Sequence, residues 1–176
     1  GLMVKHDTQA MKAFLTTNLD GYLDWLRRMV EINSFTENPS GVDALGDLTA
    51  ELFAPLGFTA ERVRSVVPRY GHHLVMTRWG RHGQQGRTIG LISHLDTVFP
   101  PAEEIANDFH WRVDGERIYG PGTNDIKGGT LVMYMMLDAI RTFAPAALDE
   151  VNWVLLLDAS EEQDADDFGR LCLERL

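Results

Sequence analysis

The chain has 176 residues, of which 44% are hydrophobic, a length and composition that allow one well-packed domain. Its 26 acidic residues outnumber its 16 basic residues and give a formal net charge of −10, which disfavours nucleic acid and anionic membranes as partners, because both attract clustered Lys and Arg. The single cysteine, Cys172, excludes an internal disulfide and a cysteine-based zinc site. No apolar run is long enough to cross a bilayer and no secretory leader is evident, so we expect a cytoplasmic protein.

The first part of the chain is predicted to be helical. Apolar residues recur at helical spacing over residues 7–32, which predicts one amphipathic helix packed on a sheet. A polar loop follows. Ser40 and Asp43 then match a capping box at the start of a second helix, which Pro55 and Gly57 end.

Strands and helices alternate in the rest of the chain. A hairpin is predicted at 58–67 and 73–79, and further strands at 88–92, 116–119 and 151–157. The last of these is continuously apolar, which is typical of a strand at a sheet centre. Helices are predicted at 130–143 and from residue 164 to 176. The alternation indicates an α/β domain with a largely parallel sheet.

Polar side chains follow three of the predicted strands, at the carboxyl ends where α/β sheets bind ligands. His94 and Asp96 leave the same face of a strand about 7 Å apart. A carboxylate that binds one imidazole nitrogen leaves the other nitrogen for a metal. A lone His-x-Asp pair is more often an ordinary buried hydrogen bond, so the metal hypothesis depends on the other two clusters. These are Asn124 with Asp125, and Glu161 with Glu162.

The glycine-rich segment 120–129 does not match a nucleotide site. Lys127 precedes the glycines instead of following one, and Asp125 stands where a Rossmann fingerprint has its third glycine. A carboxylate there repels phosphate and favours a cation. Glu161 and Glu162 are adjacent, so their side chains point apart, and one can bind a metal while the other acts as a general base.

Taken together, three motifs resemble a known family. They are Ser-His94-Leu-Asp96-Thr-Val, Gly120-Pro-Gly-Thr-Asn-Asp125-Ile-Lys-Gly-Gly and Ser-Glu161-Glu162. In this order they resemble the zinc-dependent amidohydrolases and exopeptidases of the M20 type, which include carboxypeptidase G2, acetylornithine deacetylase and succinyl-diaminopimelate desuccinylase. The resemblance extends over nearly the whole chain.

The resemblance implies a fold and its limits. The expected fold is a three-layer αβα domain with a mixed, mostly parallel sheet of about five strands, whose C-terminal strands are missing. Residues 1–176 would then be a truncated catalytic domain without the family's lid or dimerisation domain. The family's strand order, 1-2-4-3-5, would leave 151–157 as a bare apolar edge, through which copies could join as a homo-oligomer.

The resemblance also implies the roles of the site residues. His94 would bind one metal ion, Asp96 would orient its ring, and Asp125 would bridge two ions and precede a cis peptide bond. Glu161 would be the general base and Glu162 a ligand of the second ion. The implied reaction is hydrolysis of an N-acyl amino acid or of a C-terminal peptide bond with two zinc ions, which cobalt or manganese can replace.

This chain departs from the family in length. Two further family ligands lie downstream, and only 14 residues follow Glu162. We therefore expect weak or absent zinc binding and no efficient catalysis. The alternative function is an inactive fragment that acts as a folding or interaction module. The remaining histidines are interpreted as surface or loop residues: His6, His72, His73, His82 and His110.

Overall fold

The computed structural model describes residues 2–102, 112–114, 117–119, 126–163 and 167–176, with side chains for 8–102, 126–163 and 167–176. The helices in these ranges are α1 (Leu2–Thr17), α2 (Leu19–Val30), α3 (Pro39–Phe53), α4 (Lys127–Phe143), α5 (Pro145–Glu150) and α6 (Asp167–Arg175). The strands are β1 (Thr59–Val63), β2 (His73–Arg78), β3 (Thr88–His94), β4 (Arg112–Asp114), β5 (Arg117–Tyr119) and β6 (Asn152–Asp158).

The first predicted helix is divided in two. α1 ends at Thr17 and α2 begins at Leu19, with Asn18 between them. The Asn18 side chain donates to the carbonyl oxygen of Phe14 at 2.8 Å. Asparagine readily forms such local bonds to the backbone, which compete with a continuous helix. The prediction of one helix over 7–32 was therefore wrong at this residue.

α3 begins two residues earlier than the capping box predicted. Its N-cap is Asn38, whose side chain accepts from the Gly41 amide, and Pro39 occupies the first helical position. Asp43 does not cap the helix. Its carboxylate instead accepts a hydrogen bond from the backbone amide of His72 at 2.7 Å. The capping prediction for Ser40 and Asp43 was wrong.

The main sheet has the strand order β1-β2-β6-β3. β2 pairs antiparallel with β1 and with β6, and β3 pairs parallel with β6. The predicted α/β class with a mixed sheet is confirmed. Within the described residues the sheet has four strands instead of about five, and one of its three pairings is parallel, so the expectation of a mostly parallel sheet does not hold for this part. β4 and β5 form a separate antiparallel pair.

β6 lies at the centre of the sheet and not at its edge. All seven of its residues are buried, and its backbone pairs with β2 on one side and with β3 on the other. The prediction that 151–157 is a bare edge was therefore wrong, and copies of the chain cannot join through this strand. The error arose from treating 116–119 as the fourth strand of the main sheet. Residues 117–119 pair with β4 instead.

Helices cover both faces of the sheet and form three layers with it. Side chains alternate along β6. Trp153, Leu155 and Leu157 pack in the larger core with residues of α2, α3 and α4. Val154 and Leu156 point to the opposite face, where they pack against α6. Burial on both faces explains the continuous apolar run of this strand.

β3 is an outer strand of the main sheet. Among the described strands, β6 alone pairs with it. Ile89 and Ile92 of β3 are 39% and 55% exposed. In the part of the chain that the structure describes, the outer strand with exposed apolar side chains is therefore β3 and not β6, where it was predicted.

Within the described ranges, no helix combines the length and the hydropathy needed to cross a membrane.

Candidate metal centre

The parallel pairing of β3 and β6 brings two of the predicted clusters together. His94, the last residue of β3, stands opposite Asp158, the last residue of β6. The turn that contains Glu161 and Glu162 follows directly. Parallel strands end at the same edge of a sheet, so the His94 side chain and the two glutamates meet there.

Three ligand atoms of this group lie close enough to bind one cation. One atom each from His94, Glu161 and Glu162 lies within 4.8 Å of the others. The His94 Nε2 atom is 3.6 Å from the Glu161 carboxylate. One imidazole nitrogen and two carboxylate oxygens match the ligand chemistry of zinc, cobalt or manganese. The described residues therefore fit a divalent metal ion.

The His94 ring is held in one orientation. Its Nδ1 atom lies 2.9 Å from the backbone carbonyl of Asp96 and 3.4 Å from the carboxylate of that residue. A carbonyl can only accept a hydrogen bond, so Nδ1 carries the proton and Nε2 faces the glutamates. The predicted orientation of the ring by Asp96 thus has a geometric basis, with the shorter contact made by the main chain.

The charges around His94 favour its protonated form. Burial by itself lowers the pKa of the imidazole, but the Asp96 carboxylate and carbonyl and the Glu161 carboxylate outweigh this effect. Together they raise the pKa from the usual 6.5 to about 9. A metal ion at Nε2 would have to displace a proton from that nitrogen, so its binding would weaken as the pH falls.

Asp96 connects the end of β3 with the glutamate turn. It is fully buried, and its carboxylate accepts from the backbone amides of Glu161 at 3.0 Å and Glu162 at 3.1 Å. It also accepts from the hydroxyl of Thr36, a buried residue of the loop after α2. The polar loop gave no sequence signal for this role of Thr36. Asp96 therefore fixes the backbone positions of Glu161 and Glu162 relative to the end of β3.

The central motif is described only in part. Asn124, Asp125 and the peptide bond after Asp125 lie outside the described residues, so the bridging role and the cis bond stay predictions. Lys127 begins α4 and is 1% exposed. Its Nζ atom donates to the carbonyl oxygen of Ile32 at 2.8 Å. This bond connects the start of α4 to the loop after α2.

One histidine was misinterpreted. His73 was predicted to be a surface or loop residue, but it is the first residue of β2 and 1% exposed. Because β2 runs antiparallel to β6, the start of β2 lies beside the end of β6. The predicted hairpin paired this strand with 58–67 only and did not indicate that its start would lie beside the end of β6. His72 and His82 lie in loops as predicted, and His110 and the side chain of His6 fall outside the described residues.

Residues 90–170 match the model of Peptidase family M20/M25/M40, and this range contains His94, Asp96, Glu161 and Glu162. The chain is 32% identical over 138 residues to carboxypeptidase G2 of Pseudomonas sp. (strain RS-16), a match that covers 78% of this chain and 32% of that protein. It is 28% identical over 147 residues to succinyl-diaminopimelate desuccinylase of Thioalkalivibrio sulfidiphilus (strain HL-EbGR7), covering 80% of this chain and 35% of that protein.

The fold is also found among solved structures. Human carnosine dipeptidase 1 superposes with a TM-score of 0.71 over 95% of this chain and 37% of that protein, at 17% identity. At this identity the likeness concerns the fold alone. The chain spans about a third of the length of the curated relatives named above.

Proposed function

Because the chain belongs to peptidase family M20/M25/M40, we propose that it supplies metal ligands for the hydrolysis of an amide or peptide bond. The observation that carries the proposal is the approach of His94, Glu161 and Glu162 to within 4.8 Å at the shared end of β3 and β6. Two zinc ions are the proposed cofactors, with cobalt or manganese as substitutes.

Each described residue has a proposed role that follows from its position. His94 would hold one metal ion through Nε2. Glu162 would hold the second ion through its carboxylate. Glu161 is the more exposed glutamate, with a side chain 52% accessible, so its carboxylate can reach a substrate-side water and accept its proton. Asp96 would position His94 and the glutamate turn. Bound zinc would polarise the scissile carbonyl and lower the pKa of water.

Asp125 completes the proposal. Its carboxylate would bridge the two ions, as the motif resemblance implies. The substrate is proposed to be an N-acyl amino acid or a peptide with a free C-terminus. The names of the two curated relatives support these classes, since one is a carboxypeptidase and the other removes succinyl from succinyl-diaminopimelate.

Calorimetric titration with Zn²⁺ and Co²⁺ tests the ligand set. We expect Glu162→Gln to weaken binding by more than about ten-fold, since even indirect contacts to metals are worth that much. Glu174→Gln is the matched control, because Glu174 is exposed on α6, away from the cluster. Equal affinity of both variants and the wild type, or no metal binding by the wild type, would contradict the proposal.

An inactive interaction module, which binds a metal ion without hydrolysing a substrate, is the second candidate. Hydrolysis assays on N-acyl amino acids and dipeptides with metal-loaded protein separate the two. If the wild type releases a free amino acid and Glu161→Gln does not, the result supports the hydrolase. Metal binding without any turnover supports the module.

A further inference from the structure

We propose that His73 is a positioning residue, which holds the turn with Glu161 and Glu162 in the conformation needed for metal binding. The inference rests on the proposed metal-dependent function and extends it to a residue of β2. The described side-chain contacts of His73 are with Ala159, Asp158, Asp167 and Phe168, and not with His94, Glu161 or Glu162. Its effect is transmitted through the backbone of the turn.

The hydrogen bonds of His73 define its tautomer. Nδ1 lies 3.0 Å from the backbone nitrogen of Ala159, which can only donate, so Nδ1 accepts and carries no proton. The proton is therefore on Nε2, which donates to the Asp167 carboxylate at 2.7 Å. The ring is 2% exposed and connects the first residue of the turn to the first residue of α6.

Asp167 anchors the other side of the ring. Its side chain is 10% exposed and also accepts from the backbone amide of Val66 at 3.0 Å. Burial by itself raises the pKa of this carboxyl, but the bonds from His73 and Val66 outweigh it and hold the pKa below its usual range. The acceptor is thus ionised, and the His73 ring is fixed at both nitrogens.

The turn itself has an unusual pattern of hydrogen bonds. Four successive backbone amides, at residues 159 to 162, each donate to a side chain. Ala159 donates to His73, Ser160 to Asp158 at 2.9 Å, and Glu161 and Glu162 to Asp96. Asp158 is the last residue of β6 and Asp96 lies two residues after the end of β3, whereas His73 contacts the turn from the start of β2. Loss of the His73 acceptor frees the first of these four peptides and leaves a buried amide without a partner.

Two substitutions separate the two halves of the His73 contact. The Oδ1 atom of His73→Asn can take the place of Nδ1 and accept from Ala159, but this side chain is too short to reach Asp167. The amide of His73→Gln extends to the place of Nε2 and can donate to Asp167, while the acceptor for Ala159 is lost. Asp167→Asn is the control, since it weakens the far anchor and keeps the Nδ1 contact.

The Co²⁺ affinity of each folded variant is the first measurement. We expect His73→Gln to bind Co²⁺ about ten-fold or more weakly than the wild type, and His73→Asn and Asp167→Asn to stay within about three-fold. All three variants should unfold at a lower urea concentration. A merely structural role predicts lower stability without the difference in affinity. Equal Co²⁺ affinity of His73→Gln and His73→Asn would therefore overturn the inference.

Hydrogen exchange in the metal-free protein keeps the inference testable apart from metal binding. We expect the Ala159 amide to exchange faster in His73→Gln and to stay protected in His73→Asn. Failure of the wild type to bind Co²⁺ would remove the proposed function, whereas equal protection of Ala159 in both variants would remove the role of His73. In the wild type, nitrogen NMR should find Nδ1 of His73 unprotonated. A proton on Nδ1 would overturn the inference even if neither variant folds.

Discussion

Replacement of Asp96 by Asn tests the connection between β3 and the glutamate turn. The wild-type carboxylate accepts three hydrogen bonds, from the amides of Glu161 and Glu162 and from the Thr36 hydroxyl. Asn has the same shape, but its NH₂ group replaces one of the accepting oxygens. That group would face a backbone N–H or a hydroxyl that points toward it, and at least one donor loses its acceptor.

The expected loss of stability is large for a change of so few atoms. A buried donor left without a partner costs about 1–3 kcal/mol, and the bonds that remain lose about 1 kcal/mol each because the acceptor is no longer charged. The neutral side chain is easier to bury, which offsets part of this loss. We expect Asp96→Asn to lower the free energy of unfolding by about 3 kcal/mol. This is a substantial share of the total of about 5–15 kcal/mol for a domain.

Urea denaturation followed by circular dichroism measures this change. Asp24→Asn is a suitable control, because Asp24 is 52% exposed and pairs with Arg27 on the surface of α2. Such a pair contributes at most about 1 kcal/mol. Hydrogen exchange at the amides of Glu161 and Glu162 should accelerate only in Asp96→Asn. A loss below about 1 kcal/mol, with both amides still protected, would refute the reasoning.

Three further predictions concern the core and the pH dependence. Leu155→Ala should lower the free energy of unfolding by about 3 kcal/mol, because Leu155 is 1% exposed in the centre of β6, whereas Leu173→Ala, at an 84% exposed position, should change it by less than about 0.5 kcal/mol. Equal losses in urea denaturation would contradict the described core. Tyr22→Phe removes the hydroxyl that donates to Asp138 at 2.7 Å and should cost about 1–2 kcal/mol in the same assay, so an unchanged midpoint would count against that bond. Since the pKa of His94 is about 9 in the folded chain and 6.5 when unperturbed, the folded state binds more protons between these values. The stabilisation is complete below pH 6.5 and disappears as the pH rises through 9, and His94→Gln should lack this dependence in metal-free denaturation series.

Local patterns in the sequence predicted the elements that govern the site. The alternation of apolar strands and helices indicated the α/β class, and each of the four strands in the described main sheet was predicted within a few residues. The continuous apolar run of 151–157 correctly indicated a strand covered on both faces. The predicted edge position of that strand was wrong because 116–119 was counted as the fourth strand of the main sheet. Pairing between distant segments depends on tertiary packing, which no local pattern encodes.

Errors at individual residues have similar causes. Asn38 and Ser40 are both good N-cap residues, and the sequence alone does not tell which amide each will face. His73 was misjudged because its partners, Ala159 and Asp167, are far away in the chain. The hydrogen bonds from the Glu161 and Glu162 amides to Asp96 also join residues that are far apart in the chain. The residue types of the candidate metal site were thus proposed from the sequence, whereas the contacts that hold them in place were not.

The register between β3 and β6 has a consequence for folding, because a metal ion at the proposed site would bind only when the two strands are paired in this alignment. His94 stands opposite Asp158, at the spacing of neighbouring strands of about 4.8 Å, and the turn with Glu161 and Glu162 follows Asp158. A slip of one residue would rotate His94 to the other face of the sheet and separate the ligands. During refolding, the absorption of added Co²⁺ would then appear only in molecules whose two strands have found the native alignment. The delay before the Co²⁺ absorption appears would measure how long β3 and β6, which lie far apart in the chain, take to pair.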